Sequence, residues 1–317
     1  MKTYEITIKP KSGFGTPLKG DTIFGQICWQ IVSDEKLFGK TLDNLLKNYD
    51  KKPFMVVSSA YPKNQQSYIL KKPEIPLHLL LNFDSFNKKE VIKKRKELKN
   101  KRWMSVSKDN PILSLKEMKY FSYEYIKEQL QPHNKINRIT NKTGNENFAP
   151  FSVSQEVYDS TRELSIFVGL DETELSIEQV KEAFDRIGKY GFGKDASTGL
   201  GRFDVLNISE INLSELGSEN PNACYTLSPC VPEKNTYSKI YFSPFIRFGK
   251  HGDVLAKSKN PFKNPIIMAC EGAVFVPNNE EIFNKPYIGT AVYNISKSEP
   301  KTVAQGYSLY IPIKLEL

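Results

Sequence analysis

The chain has 317 residues, 39% of them hydrophobic and 26% charged, which favours two globular domains with buried cores. Lysine and arginine number 45 against 36 aspartate and glutamate, so the net charge is +9, and this excess favours a polyanionic partner. We expect neither a secretory signal nor a membrane span, because no apolar run of about 18 residues occurs. The four cysteines, Cys28, Cys224, Cys230 and Cys270, form no C-x-x-C pair. Their spacing predicts reduced thiols in a cytoplasmic protein.

The first part of the chain alternates strand and helix patterns. Strands are predicted at 3–8, 54–58, 162–170 and 202–208, and helices after Gly20, at 41–48 and from Ser176 to about Gly188. Asp21 or Thr22 is expected to cap the first helix. This order is the βαββαβ order of a ferredoxin-like domain, which we assign to residues 1–210. Periodicity fades and charge is dense at about 62–150, which predicts a basic insertion into that domain.

The second part of the chain has strand patterns without a strong helix. Residues 209–221 are polar and rich in Ser and Asn, which predicts a linker. Strand-like runs follow at 224–227, 239–248, 273–276 and 306–315. We therefore predict an α+β fold with two ferredoxin-like (RRM-like) domains, the second of which, at 222–317, is degraded.

A glycine-rich segment at 188–201 carries the most information about function. Gly191-x-Gly193-x-x-Ala196 resembles a dinucleotide fingerprint, but that fingerprint requires a strand before it and a helix after it, the reverse of the order here. Gly39-Lys40-Thr41 resembles the end of a P-loop, but the position of the required earlier glycine is occupied by Asp34. We expect no nucleotide cofactor.

Glycines interleaved with donor side chains instead predict an RNA phosphate site. Glycine lets the backbone approach a ligand closely, and consecutive N–H groups form an anion-binding nest. Lysine, serine and threonine add donors to phosphate oxygens. The alternative is a long turn without a ligand. The predicted RNA-binding residues of this loop are Gly191, Gly193, Lys194, Ser197, Thr198, Gly199, Gly201 and Arg202.

Three further segments are candidate RNA contacts. Lys19, Gly20 and Asp21 stand at the start of the first helix, where backbone N–H groups favour a phosphate. His133, Asn134 and Arg138 combine a ring, an amide and a planar cation, which suit splayed bases of single-stranded RNA; a structural histidine is the alternative. Arg247 and Lys250 flank aromatic residues, as in stacking sites, although a plain surface hairpin fits equally well.

A basic run at 87–102 holds nine Lys and Arg against two Glu. Its charge of +7 is most of the net charge of the chain. We interpret it either as a phosphate contact or protruding element that touches RNA or a neighbouring subunit, or as a solvated helix or mobile loop.

At the glycine loop the sequence resembles the RAMP superfamily of CRISPR proteins. Segments 18–29, 133–140, 264–275 and 306–314 resemble motifs of the fourth subunit of type III-A Csm effector complexes. The resemblance implies ferredoxin-like domains with a glycine-rich loop after the last helix. It also implies a non-catalytic subunit that holds the 5′ handle of the CRISPR RNA. Its implied protein partners are the large polymerase-like subunit and a backbone RAMP subunit.

A catalytic role has little support in the residues themselves. His78, His133 and His251 are the three histidines, and no H-E-x-x-H, G-x-S-x-G or spaced carboxylate motif occurs. We expect no catalytic residue and no metal. Two alternatives stay open: a RAMP endoribonuclease that processes CRISPR repeat RNA, with His133 as general base or acid, and a scaffold subunit whose basic patches serve only protein contacts.

Overall fold

The computed structural model describes residues 1–81, 86–144, 148–159 and 162–316. The strands are β1 Lys2–Pro10, β2 Met55–Val57, β3 Tyr61–Asn64, β4 Ser67–Lys71, β5 Trp103–Val106, β6 Tyr120–Phe121, β7 Ile126–His133, β8 Phe151–Tyr158, β9 Glu163–Leu170, β10 Phe203–Glu210, β11 Ala223–Thr226, β12 Tyr237–Tyr241, β13 Pro244–Arg247, β14 Ile266–Ala269, β15 Val274–Pro277, β16 Tyr287–Gly289 and β17 Tyr307–Ile313. The α-helices are α1 Gly20–Ser33, α2 Glu35–Phe38, α3 Leu42–Leu46, α4 Leu77–Leu80, α5 Lys88–Asn100 and α6 Ile177–Tyr190. Short 3-10 turns lie at Ala196–Thr198, Leu213–Leu216, Asp253–Lys257 and Glu280–Asn284.

The first sheet contains the predicted ferredoxin-like unit. Its central strands β1 and β9 are antiparallel, β10 lies on the other side of β1, and β2 pairs with β9. The spatial order β10-β1-β9-β2 places the fourth strand beside the first and the third beside the second, as a βαββαβ chain requires. Helix α1 follows β1 and α6 precedes β10. The predicted α+β fold class is therefore confirmed.

The segment at 62–150 contributes ordered structure in its described parts. Strands β3, β4, β5 and β6 continue the first sheet beyond β9, and the basic run forms α5. Strands β7 and β8 form a separate two-stranded hairpin, called here the arm. Most of these strands are short, so they offer too few alternations for a sequence pattern to predict.

The second sheet has the order β12-β15-β11-β17-β16. Within it, β17-β11-β15-β12 repeats the fourth-first-third-second order of the first unit, again antiparallel throughout. Over residues 222–316 the described elements between these strands include 3-10 turns and no α-helix. The second unit is thus a ferredoxin-like domain without its helices, which is the degraded form that the sequence predicts. Strands β13 and β14 form a second hairpin, inserted between β12 and β15.

The two units share one hydrophobic core, and the predicted linker is part of it. Ile6 of β1 and Leu309 of β17 belong to the same buried cluster. Leu213 and Leu216, inside the polar segment at 209–221, are buried. A Cβ on Gly217 would stand 1.9 Å from the carbonyl oxygen of Pro312. The predicted linker therefore connects the two units but is packed against the core, because two leucines in a polar context suffice to anchor it.

The starts predicted for α1 and α6 match the structure, but the cap predicted for α1 is wrong. Ser176 caps α6 in a capping box, accepting from the N–H of Gln179 while the Gln179 side chain accepts from the N–H of Ser176. Neither Asp21 nor Thr22 caps α1, whose N-cap is Lys19. Thr22 Oγ1 instead donates to the Lys19 carbonyl at 2.7 Å, and Asp21 pairs with a distant arginine.

We expect Ser176→Ala to lower the free energy of unfolding by about 1 kcal/mol, because the N–H of Gln179 loses its acceptor. Chemical denaturation followed by circular dichroism measures this change. Ser152→Ala on the exposed edge of β8 is the control and should leave the midpoint unchanged. Equal midpoints for both variants would show that the box contributes nothing.

Candidate RNA-binding surface

The glycine loop between α6 and β10 depends on backbone conformations that favour glycine. Gly193 has φ +74° and Gly199 has φ +101°. A Cβ on Gly201 would stand 2.3 Å from the backbone N and O of Phe192, whose ring is buried beneath the loop. The glycine pattern read from the sequence therefore reflects a real backbone requirement.

Three N–H groups at 194–202 attach the loop to the turn at 12–16. The N–H of Gly201 donates to the Gly13 carbonyl at 2.7 Å, that of Lys194 to Thr16 Oγ1 at 2.9 Å, and that of Arg202 to Ser12 Oγ at 2.9 Å. These amides are unavailable to a ligand, so the predicted nest is smaller than the run of glycines suggests.

Three consecutive N–H groups, those of Asp195, Ala196 and Ser197, have no acceptor within the described residues. Asp195 is left-handed at φ 60°, and Ala196 begins a 3-10 turn. Adjacent left- and right-handed residues direct successive N–H groups to one point, which is the geometry of an anion nest. The side chains of Lys194, Ser197, Thr198 and Arg202 around it are exposed. The Asp195 carboxylate would repel a bound anion. Lys194 Nζ lies 3.8 Å from this carboxylate and offsets its charge.

The arm starts from the same turn and carries the second predicted cluster to its far end. Phe14 and Glu156 exchange two backbone hydrogen bonds of 2.8 Å, which attach the base of β8 to the turn at 12–16. Glu128 pairs with Glu156 at this level. His133 is five residues further along β7, about 17 Å away. The fold therefore joins the glycine loop to the base of the arm and places His133 at a distance.

The end of the arm exposes ring, amide and cation together. The His133 ring stacks on Phe151 at 5.4 Å with an angle of 15° between the planes. Lys135 Nζ lies 5.4 Å from the centre of the Phe151 ring. Asn134 and Arg138 are exposed. Phe151 was not predicted as a site residue, since pairing across a hairpin is invisible without its register.

Lys19 and its neighbours do not form the predicted open phosphate site. Lys19 Nζ lies 2.6 and 2.8 Å from the two carboxylate oxygens of Glu271, which is buried in the second unit. The N–H of Gly20 donates to Ser59 Oγ at 3.2 Å. Lys71 Nζ also contacts Glu271, at 2.9 Å. These donors already have acceptors within the protein, so Lys19 and Gly20 are not assigned to RNA.

Asp21 and Arg247 form an ion pair with each other. The guanidinium of Arg247 donates to both Asp21 oxygens, at 2.5 and 2.8 Å, and this pair attaches the second hairpin to α1. Both side chains are largely buried, with exposed fractions of 5% for Asp21 and 17% for Arg247. Their predicted RNA contacts are therefore replaced by an ion pair between the units.

Comparisons with known proteins bear directly on this geometry. The family model described as RAMP superfamily matches residues 8–204, which include the end of β1, the arm and the glycine loop. The chain belongs to the RAMP superfamily. A sequence search of curated proteins gives no match.

Solved structures of similar fold cover nearly the whole chain. One similar structure is a chain from a crystal structure of the Csm1–Csm4 cassette with pppApA, 17% identical, with a TM-score of 0.58, covering 100% of this chain and 99% of that chain. Another comes from a crystal structure of the Csm1–Csm4 cassette with cA4. It is 15% identical, has a TM-score of 0.61, and the match covers 99% of this chain and 98% of that chain. A third comes from a Csm3–Csm4 subcomplex of the type III-A CRISPR-Cas interference complex. It is 17% identical, has a TM-score of 0.55, and the match covers 98% of this chain and 99% of that chain. At such low identity the likeness concerns the fold.

Two more basic features of this RAMP protein lie away from the glycine loop. Lys250 is exposed on the second hairpin, 5.5 Å from the centre of the Phe262 ring. Helix α5 turns Leu98 inward, while Lys89, Lys93 and Lys96 are exposed along one face. The basic run is thus a solvated helix, and whether it also contacts RNA stays a prediction.

Neither a metal site nor a membrane helix is found in the part of the RAMP chain that the structure describes. No group of three or more His, Cys, Asp or Glu side chains there has metal-binding geometry. No helix over the same residues is long and apolar enough to cross a bilayer.

The Glu271 carboxylate has a pKa set by two opposing effects. Burial alone would raise its pKa, but the adjacent ammonium groups of Lys71 and Lys19 hold the pKa well below the ordinary value of 4.5. The charged form of Glu271 therefore stabilises the fold fully above pH 4.5, and this stabilisation is lost as the pH falls from 4.5 towards the lowered pKa.

We expect Glu271→Gln to destabilise this RAMP protein by roughly 3–5 kcal/mol, because two half-buried lysines lose their common counter-ion. Glu316→Gln, which breaks the exposed pair with Lys116, should cost no more than about 1 kcal/mol. Denaturation at pH 7 measures both changes. The gap between wild type and Glu271→Gln should close as the pH falls below about 4.5; a gap independent of pH would exclude the charge as its cause.

Proposed function

We propose that this RAMP protein is a non-catalytic RNA-binding subunit of a type III-A CRISPR (Csm) effector complex. It holds the 5′ handle of the CRISPR RNA and docks the large polymerase-like subunit and a backbone RAMP subunit. Csm4 is the subunit named in both kinds of complex that supply the similar folds, with Csm1 in one and Csm3 in the other. The observation that carries the proposal is the exposed nest in the glycine loop.

The nest suits one phosphate group of the guide. Three convergent N–H groups of Asp195, Ala196 and Ser197 can donate to its oxygens, and Lys194 and Arg202 supply positive charge nearby. Such contacts fix the position of a nucleic acid without reading its sequence. Selection of the handle therefore requires a second element that reaches bases.

The end of the arm is that second element. The stacked pair of His133 and Phe151 presents a ring surface, and Asn134 and Arg138 add donors and acceptors for base edges. Single-stranded RNA is recognised in this way, by stacking on rings and by hydrogen bonds to exposed edges. The nest and the arm together would position the backbone and contact bases of one strand.

The same geometry argues for binding without cleavage. General acid–base catalysis requires a group held within hydrogen-bonding reach of the transferred proton, and a catalytic histidine usually has an orienting partner. The ring of His133 packs on Phe151 and has no hydrogen-bonded partner within the described residues. His251 is buried and bonded to Ser296. We infer that cutting belongs to other subunits of the complex.

We expect Gly199→Asp to reduce guide RNA retention at least about fivefold relative to Gly199→Asn, because like charges about 4 Å apart repel by roughly 1 kcal/mol even in water. No neighbouring atom lies within 4 Å of a Cβ at Gly199. The two variants share size and backbone strain, so they differ in charge alone. Gly193 is less suitable, because its Cβ would stand 2.5 Å from Thr16 Cβ.

The measurement is the amount of RNA that co-purifies with each variant in the assembled complex, alongside a circular-dichroism melt. Lys194→Ala should be milder than Gly199→Asp, because it leaves the backbone donors in place. Equal retention by folded Asp and Asn variants would reduce the loop to a turn and remove the central support for RNA binding there.

A separate experiment tests whether the lysines of helix α5 contact RNA phosphates. Replacing Lys89, Lys93 and Lys96 by alanine should lower the slope of log affinity against log salt by up to about 0.7 per lost phosphate contact on single strands. Lys94 is left intact, since its Nζ packs 3.9 Å from the centre of the Phe86 ring. Alanine at the exposed Lys36, Lys47 and Lys51 is the control with the same charge change. Identical slopes in both triple variants would mean that α5 is only a solvated face.

A further inference from the structure

The second hairpin continues beyond its paired strands with its register shifted by one residue, since Arg247 pairs with Ile266 whereas Lys250 pairs with Phe262. The N–H of Lys263 donates to the Gly249 carbonyl at 2.8 Å, and the N–H of His251 donates to the Pro261 carbonyl at 2.8 Å. Lys250 and Phe262 face each other in an isolated bridge. Residues along one strand alternate between faces, so Phe248, Lys250 and Phe262 share one side of the ribbon.

That side exposes large rings to solvent. Phe248 is 73% exposed and Phe262 is 68% exposed. Lys250 Nζ lies 5.5 Å from the centre of the Phe262 ring. Ile246 and Ile267, paired across the hairpin, are exposed on the same side nearer its base. Exposed apolar side chains that lie together on a protein surface often mark a binding site.

The opposite side holds the ribbon in place. Arg247 pairs with Asp21 of α1, His251 Nε2 lies 2.7 Å from Ser296 Oγ in a buried contact, and a Cβ on Gly252 would stand 3.4 Å from Trp29 Nε1. These contacts hold the hairpin against α1 and leave the rings free. A platform that is ordered before binding loses little conformational freedom when a ligand docks.

We propose that Phe248, Lys250 and Phe262 form a stacking platform for unpaired bases of single-stranded RNA, a contact distinct from the glycine loop. The proposal rests on the proposed function, in that the protein must bind RNA at all. Sites for single strands combine aromatic rings with cations. Rings that stack bases accept many sequences, because every base has a flat face.

The charge around the rings favours RNA over a protein partner. Residues 247–263 contain five Lys and Arg and one acidic residue, and Lys250, Lys257 and Lys259 are exposed. Lysine is depleted in protein–protein interfaces, whereas lysine beside aromatic rings is typical of nucleic-acid grooves.

The side of the hairpin opposite the platform packs beside Lys19. Phe245 alternates with Ile246 and Phe248 along the strand, so it lies on that opposite side. Lys19 Nζ, which follows the turn at 12–16 along the chain, lies 4.8 Å from the centre of the Phe245 ring. The hairpin is therefore anchored next to the segment that leads from the turn into α1.

The test compares two double variants of the full chain in binding a fluorescent single-stranded RNA that lacks the handle sequence. Phe248→Ala with Phe262→Ala should weaken binding by between about 5-fold and 150-fold, the range expected for loss of one stacked base. Ile246→Ala with Ile267→Ala removes apolar surface from the same side without removing a ring, and should leave the affinity within about twofold of wild type. All four side chains are exposed, so both proteins should melt as wild type does.

A single Phe248→Trp variant gives an independent readout. Its tryptophan should retain binding and its fluorescence should be quenched by the RNA, since the larger ring stacks at least as well. If wild type binds RNA and the Phe pair binds it equally well, the platform is wrong while the proposed function stands. If wild type binds no RNA, both fail. If the Ile pair loses co-purification with a partner subunit while the Phe pair keeps normal RNA affinity, the face is a protein-docking surface and the proposal is overturned.

Discussion

A single buried carboxylate connects the parts of this molecule that carry the proposed RNA-binding residues. Glu271 accepts from Lys19 at the start of α1, from Lys71 at the end of β4 and from Ser59. These partners come from the first unit, and Glu271 comes from the second. A buried charge is tolerated only when it is fully partnered, so the two units must meet in one arrangement. The turn that supports the glycine loop leads directly into Lys19, and the second hairpin contacts the same lysine through Phe245.

The two units resemble each other in more than strand order. Each carries an inserted hairpin between its second and third ferredoxin strands, the arm in one and the second hairpin in the other. Each hairpin exposes aromatic surface beside a lysine: Lys135 lies near Phe151, and Lys250 near Phe262. The base of the arm packs into the shared core through Tyr158, and the second hairpin packs through Ile266 and Met268 into a smaller cluster of its own. Under the proposed function, a protein built in this way would contact one RNA strand at separate points without large rearrangement.

The glycine loop shows how structure and binding compete for the same backbone groups. The N–H groups of Lys194, Gly201 and Arg202 hold the loop to the turn at 12–16, which orders it. The N–H groups of Asp195, Ala196 and Ser197, together with that of Gly193, have no acceptor among the residues that the structure describes. The ordered amides are therefore the reason that the free ones point in a defined direction. Preorganised donors bind an anion better than mobile ones, because less entropy is lost on binding.

The sequence by itself determined the elements whose signals are local. The period of α6 and its capping box, the alternation of β1, the apolar run of β9 and the glycines that require left-handed backbone all depend on residues close together in the chain. Patterns of this kind were enough for the fold class, and the quoted motifs pointed to the RAMP superfamily. Tertiary structure alone decided the partners of the charges. Lys19 meets a carboxylate 252 residues away and Arg247 meets one 226 residues away, so the same cations that predicted RNA contacts became ion pairs inside the protein. The face on which Phe248 and Phe262 lie together was likewise set by the register of a hairpin, because only pairing across strands determines which side chains share a side.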